Sequence, residues 1–337
     1  MKQRKILHLL DDVAMGGVTR ALKNFEHPAL QACGTHETLD VTKSDAKAQS
    51  PRDIAVVHYT ANWTKLRHLA GLKLRGGFKR VILIEHTYTE GFQTHEVSSP
   101  RRFHLMLRLA YSLVDQVVAV SHEQRRWMLD NRLASADKII AIPQSRDCAD
   151  LVDLPYSTRT GEPLKIGAFG RFHRQKGFDL LLDAMTLISP EVAELKLAGK
   201  GELSEAFARQ ASKVSSIEIL PAFSSPAEFL SSVDIVAIPS RWEAFGLVGT
   251  EARAAGRPII VSDVDGLRDQ AGAHAFTHRV GDVQDMVRAI QLAASATDMT
   301  QRAVAARKSA VMEYETMIAG WEKVLAAKVR HVPIVFG

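Results

Sequence analysis

The feature that most constrains this chain is one alternation that runs along it twice. Short apolar or β-branched runs occur at 6–10, 54–58, 80–85, 116–120 and 139–142, and helical patterns occupy 19–30, 63–74, 102–114 and 122–133 between them. The pattern breaks over 143–163, where Pro143, Pro155, Gly161 and Pro163 interrupt any periodicity. It then restarts with strands at 164–169, 194–197, 217–220, 234–238 and 258–261 and helices at 177–188, 203–214, 226–232 and 247–255. Strands that alternate with helices demand parallel sheets covered on both faces. The break reads as a linker. The expected fold is therefore α/β, with two Rossmann-like doubly wound domains at 1–150 and 164–312. Two such units in tandem are expected to face each other across a cleft, with ligands at the carboxyl ends of the strands.

Length and composition agree with this. The chain has 337 residues, close to two domains of ordinary size. Apolar residues make up 46% and charged residues 24%, which excludes a disordered or collagen-like chain. Cys33 and Cys148 cannot build a disulfide framework or a Cys-rich zinc site, a usage that fits a cytoplasmic protein. No apolar run approaches the length of a membrane span. The opening residues superficially resemble a signal peptide, but His8, Asp11 and Asp12 interrupt the apolar stretch, and a first buried strand is the better reading.

The net charge is +5, and the surplus lies in residues 1–160. It concentrates at Arg67, His68, Lys73, Arg75, Lys79 and Arg80, and again at Arg101, Arg102 and Arg108 beside Leu105 and Leu109. Such a basic amphipathic pattern suits peripheral contact with the anionic inner face of a membrane. It equally suits a plain surface helix. The charges are scattered and accompany no nucleic-acid motif, so nucleic acid is not an expected partner.

The residues richest in chemistry sit at strand ends of the second unit. Arg171 follows a strand, and Lys176-Gly177 opens a helix. A guanidinium fork, a mobile ammonium and a helix N-terminus all suit a diphosphate, although a solvated basic turn reads the same way. Glu243 lies in a turn after an apolar strand, Gly246 precedes the next helix, and Glu251 lies within it. One carboxylate in the loop can accept sugar hydroxyls, and a deeper one can clasp a ribose diol. Two unrelated glutamates would give the same spacing.

Together these segments resemble the family 4 glycosyltransferases, enzymes of the two-domain GT-B fold. The family's G-R-x-x-x-x-K-G is matched by Gly170-Arg171 through Lys176-Gly177. Its P-S-x-x-E-x-F-G-L-x-x-x-E segment is matched from Pro239 through Glu243, Phe245, Gly246, Leu247 and Glu251, running on to Pro258. The likeness is strong over 164–265 and weaker before it. It implies retaining, metal-independent transfer of a hexosyl group from a UDP- or GDP-sugar to a glycan or lipid-linked acceptor, as in cell-surface polysaccharide synthesis, with no cofactor. Catalytic roles fall to Glu243, Arg171, Lys176 and His86. The last stands in Glu85-His86-Thr87, where the family has a histidine on the acceptor side. Donor contacts fall to Gly16, Gly17, Phe223, Phe245, Gly246, Leu247 and Glu251. Trp321 lies in a segment like the family's last helix, about 313–330, which crosses back to the first domain. Alternatives on the same fold are a sugar-nucleotide epimerase and a non-catalytic sugar-nucleotide-binding protein.

Three departures stand out. Pro143-Gln144-Ser145-Arg146 replaces a Pro-Asn-Gly turn, Asp265-Gly266 replaces a Gly-Gly pair, and Asp269 stands in place of a glutamate.

Overall fold

The computed structural model describes residues 4–11, 22–42, 53–75, 77–156, 162–221 and 225–327. The chain divides into two compact units. Met1–Tyr88, Val97–Gln144 and Glu315–Gly337 form the first; Thr89–Glu96 and Ser145–Tyr314 form the second.

The first unit is built on a six-stranded parallel sheet. Its strands are β1 (Lys5–Leu10), β2 (Thr35–Asp40), β3 (Ile54–Val57), β4 (Arg80–Glu85), β5 (Gln116–Ala119) and β6 (Ile139–Ala141), in the order β2-β1-β3-β4-β5-β6. The central strands β3 and β4 are apolar along most of their length and buried throughout, as a sheet covered on both faces requires. Helices α1 (Pro28–Gln31) and α2 (Leu66–Arg75) belong to this unit. The segment α3 (Glu90–Glu96) belongs to the second unit, and α4 (Pro100–Ser112) and α5 (His122–Asp130) return to the first. Ser121 starts α5, its hydroxyl accepting from the Gln124 N–H at 3.1 Å.

The helical pattern expected over 19–30 is broken within its described part. A 3₁₀ turn, Lys23–Glu26, ends at His27, which takes an extended ψ of 135° before Pro28 starts α1. The proline ring disfavours a helical residue ahead of it and removes one N–H donor.

The second unit repeats the plan. Its strands are β7 (Leu164–Arg171), β8 (Ala193–Lys200), β9 (Ile217–Leu220), β10 (Ile235–Ile238), β11 (Ile259–Ser262) and β12 (Ala275–His278), in the order β12-β11-β10-β7-β8-β9. All these pairings are parallel. Helices α6 (Phe178–Met185), α7 (Ser204–Ala211), α8 (Pro226–Ser231), α9 (Leu247–Ala254), α10 (Leu267–Gln270) and α11 (Val283–Ser295) connect them. One buried cluster includes Leu181, Leu195 and Ile290; another includes Phe229, Val236 and Leu267.

The last helix, α12 (Met299–Ala326), is 28 residues long and starts well before the 313–330 expected for a crossover helix. Its residues up to Tyr314 belong to the second unit and those from Glu315 to the first. In the first unit Trp321 is buried and packs edge-on against Phe25, with ring centroids 5.0 Å apart. Arg4 and Arg80 donate to the carbonyls of Leu325 and Val324, satisfying acceptors that a helix end leaves open.

Candidate active site

The site is assembled at the carboxyl ends of β7 and β10 in the second unit. β7 ends at exposed Arg171, and the chain then enters a short 3₁₀ turn, Arg174–Lys176. His173 caps that turn, its Nδ1 accepting from the Gln175 N–H at 3.1 Å. Gly177 then adopts φ +65°, and a Cβ there would stand 2.0 Å from the Pro239 carbonyl oxygen. Only glycine permits both the left-handed backbone and this approach. The loops after β7 and β10 are therefore in direct contact.

Further bonds fix them together. The Arg241 N–H donates to the Gln175 carbonyl at 2.8 Å, and Gln175 Nε2 donates to the Trp242 carbonyl at 3.1 Å. Arg241 also forks onto Asp179, in the first turn of α6, at 2.8 and 2.6 Å. A bidentate arginine–carboxylate pair fixes orientation as well as distance. The result is that Lys176 Nζ meets the Glu243 carboxylate in an ion pair. These two residues, 67 positions apart, are brought together as one polar centre. Ser240 Oγ lies 3.4 Å from the same carboxylate oxygen.

Glu243 is only 9% exposed, and its backbone is held on both sides. Its N–H donates to Asp265 Oδ2 at 3.2 Å, and its carbonyl accepts from the Gly266 N–H at 3.0 Å. Asp265 is itself buried and adopts φ +42°. It also accepts from Thr89 Oγ1 at 2.7 Å and from the Gly91 N–H at 3.0 Å. Burial raises its pKa, while the Gly91, Thr89 and Glu243 donors and Arg268 act in the opposite sense.

Gly246, at φ +92°, starts α9, and a Cβ there would meet Glu243 Cγ at 2.9 Å. The glycine therefore leaves room for the Glu243 side chain beside a helix N-terminus, a place suited to an anion. Leu247 is half-buried at the first helical position. The Phe245 ring is buried, and its carbonyl accepts from Gln270 Nε2. Glu251, deeper in α9, is 1% exposed and accepts from Arg146 Nε at 2.8 Å.

Gly16, Gly17 and Phe223 lie outside the described residues. His86 belongs to the first unit, just beyond β4. It ends a row of histidines that crosses four neighbouring strands. His8 meets His36 (Nε2 to Nδ1) and His58 (Nδ1 to Nε2), each at 2.9 Å. His58 stacks on His86 with centroids 5.7 Å apart. A cavity of about 20 Å³, roughly one water, is lined by His58, His86, Asn24, Gln144, Met317 and Trp321 among others. Burial is the main cause that lowers His8 to about 3 and His86 to about 4, and it also lowers His58 well below its ordinary value. In the second unit burial, helped by Arg253, lowers His274 to about 4.

These rings stay neutral in the fold at pH values where the unfolded chain binds protons. Their contribution is complete above about 6.5 and is lost as pH falls. Each is expected to remove roughly 2 kcal/mol by pH 5. Glu85, raised to about 7 chiefly by burial, binds its proton in the folded state over the same range and offsets about one histidine. Urea unfolding at pH 7.5, 6 and 5 should therefore show falling stability, with the His8 and His86 ring signals not titrating above pH 5. Titration of either ring near 6.5 would contradict the buried row.

Sequence reasoning missed Arg241, Asp179 and Asp265, which hold the site rather than fill it. The signal for Asp265 was present as a departure from the family pattern. Arg241 and Asp179 carried none, because their pairing depends on how the two loops dock.

Residues 163–295 match the family described as glycosyl transferases group 1. Relatives include the lipopolysaccharide core biosynthesis mannosyltransferase LpsB of Rhizobium meliloti strain 1021, 29% identical over 42% of this chain and 43% of that protein. The phosphatidyl-myo-inositol mannosyltransferase of Mycobacterium leprae is 27% identical over 59% of this chain and 54% of its own. The matches thus span about half the length of these two relatives. Among solved structures, Anabaena HepE in complex with UDP and glucose superposes with a TM-score of 0.72 at 18% identity, covering 96% of this chain and all of that one. Sucrose-phosphate synthase of Thermosynechococcus elongatus gives 0.73 at 17% identity, covering 96% and 98%. At such identities the likeness speaks for the fold. The chain has the GT-B fold, and within it residues 163–295 match the group 1 glycosyl transferase family model.

Proposed function

We propose that this protein is a retaining glycosyltransferase that uses a nucleoside diphosphate sugar, UDP- or GDP-linked, and transfers a hexosyl group to a glycan or lipid-linked acceptor. The observation that carries the reading is the joined Lys176–Glu243 centre at the strand ends, beside the N-terminus of α9, with buried Glu251 about a turn and a half into that helix.

In the reaction the bond between the anomeric carbon and the diphosphate oxygen breaks. A new bond forms to the acceptor oxygen on the same face, and the acceptor's proton passes to the departing phosphate. Negative charge grows on that phosphate. Arg171, Lys176 and the first N–H groups of α9 stabilise it, a preorganised role that needs no reorganisation during the step. Glu243 accepts hydroxyls of the transferred sugar and Glu251 the ribose diol. Lys176 pairs with Glu243 before the donor arrives and turns to the phosphate when it is bound. The family resemblance assigns the donor phosphates to Gly16 and Gly17, the base to Phe223 and the acceptor to His86. These charges make a divalent metal unnecessary, so activity is expected to persist in EDTA.

The test is proton NMR of the product formed from an α-linked UDP- or GDP-sugar. An α-linked product with stoichiometric nucleotide release supports the reading. A β-linked product contradicts retention, interconversion of donor sugars without an acceptor points to an epimerase, and binding without release points to a non-catalytic protein.

The acceptor side has a surface of its own. On the first unit Leu105 and Leu109 of α4 and Trp63 are exposed, and the Arg102 guanidinium lies over the Trp63 ring at 5.7 Å. Arg101 and Arg108 are exposed on the same helix. This combination fits peripheral contact with an anionic leaflet. Co-sedimentation should be stronger with vesicles containing phosphatidylglycerol than with phosphatidylcholine alone. Reversing Arg101 and Arg102 to glutamate should weaken it at least about tenfold, at about 1 kcal/mol per basic residue lost and more for reversal. Equal binding to both vesicle types would remove the membrane from the account.

A further inference from the structure

The row of histidines in the first unit has a direction that its hydrogen bonds impose. Its outer end is His36, whose Nε2 lies 3.0 Å from the Leu30 carbonyl oxygen. A carbonyl only accepts, so His36 Nε2 carries a proton. Burial lowers His36, His8 and His58 below the ordinary histidine value of about 6.5, so at pH 7.5 each ring is neutral and holds one N–H. His36 Nδ1 is therefore an acceptor and takes the N–H of His8 Nε2 at 2.9 Å. His8 Nδ1 in turn accepts from His58 Nε2 at 2.9 Å. The last nitrogen of the row, His58 Nδ1, is left as a bare acceptor.

That nitrogen has no hydrogen-bond partner among the described residues, in a side chain 4% exposed. A buried acceptor left in this state is costly, and folded proteins satisfy most of them with protein or ordered water. His58 lines the cavity of about 20 Å³ beside His86, whereas His8, which holds the Nε2 edge of the ring, is not part of that lining. The volume suits one water and is too small for a sugar. A buried water also needs further polar neighbours, and Asn24, Gln144 and His86 line the same cavity.

We propose that this cavity is the binding site of a single structural water that donates an O–H to His58 Nδ1, and that the Leu30 carbonyl, acting through His36 and His8, sets His58 to receive it. The water's remaining bonds go to the polar side chains beside it. It thereby ties the row to the cavity wall that His86 shares.

Two NMR readouts on the nitrogen-labelled full chain at pH 7.5 test this. Long-range proton–nitrogen correlation reads the tautomers, and water–protein cross-relaxation reads the water. His36, His8 and His58 should each show a protonated Nε2, with His58 Nδ1 shifted upfield of a bare imidazole nitrogen by the water O–H. The methyls of Val118 and Ile142, which line the cavity, should give cross-peaks to a long-lived water. His36→Leu removes the acceptor that the His8 Nε2–H uses. In that variant His8 and His58 should both change to the Nδ1–H form, with the water cross-peaks retained, because water can accept as well as donate. A packing role for His36 would not move the tautomer of a ring two strands away. Wild-type His58 protonated at Nδ1, or a His58 tautomer unchanged in His36→Leu, overturns the proposed order. Cavity methyls without water cross-peaks in the wild type overturn the water site. The wild-type spectra decide the proposal even where the variant does not fold.

Discussion

Replacing Glu243 with alanine is expected to lower transfer turnover by at least about 100-fold, and Lys176→Ala by about 10- to 100-fold. Hydrogen bonds to charged groups contribute about 1.5–3 kcal/mol, and about 1.4 kcal/mol is tenfold in rate. On the proposed reading Glu243→Ala removes more than one contact to the sugar, and it also leaves Lys176 without the carboxylate it pairs with. Because the two side chains meet, their effects should not multiply: the double variant should lie well above the product of the singles. Acceptor-dependent nucleotide release, read as kcat and kcat/KM, checks this. A Glu243→Ala variant with more than a tenth of wild-type turnover would remove Glu243 from the site.

The largest structural effect belongs to Asp265. Its carboxylate accepts from Thr89 Oγ1, the Gly91 N–H and the Glu243 N–H, all buried or nearly so. Each donor left unsatisfied costs about 1–3 kcal/mol, so Asp265→Ala should destabilise the second unit by roughly 3–5 kcal/mol. Asp265→Asn keeps an acceptor and should cost less than half as much. Both should impair activity beyond their effect on stability, because the Glu243 backbone hangs on this side chain. Urea unfolding of the two variants provides the check. Equal stability of wild type and Asp265→Ala would mean that the clamp contributes nothing.

How much of this was legible in the sequence follows from burial. The central strands are apolar runs buried on both faces, and they stand out: β3, β4, β10 and β11 lie within about one residue of the expected positions. The two strands that escaped, β2 and β12, are both sheet edges, and β2 reads Thr-His-Glu-Thr-Leu-Asp with no fully buried residue. An edge strand exposed to water needs no apolar pattern. The segment Thr89–Glu96 also escaped, because its place in the second unit depends on long-range bonds such as those to Asp265. The same division holds at the site. Arg171, Lys176, Glu243, Gly246 and Glu251 were legible as a motif. Arg241, Asp179, Asp265 and Arg146 act through pairings between distant segments, which spacing along the chain does not reveal.

The central claim is that the second unit binds a nucleoside diphosphate through Lys176, Arg171 and Glu251. Thermal unfolding with UDP, GDP or ADP in the presence of EDTA tests it most directly. At 100 times the dissociation constant, binding should stabilise the fold by about 2.7 kcal/mol. The account predicts a saturable rise in Tm with UDP or GDP, little with ADP, and a loss of the rise in Glu251→Ala. No rise with any of the three nucleotides, in EDTA and again with magnesium, would contradict it.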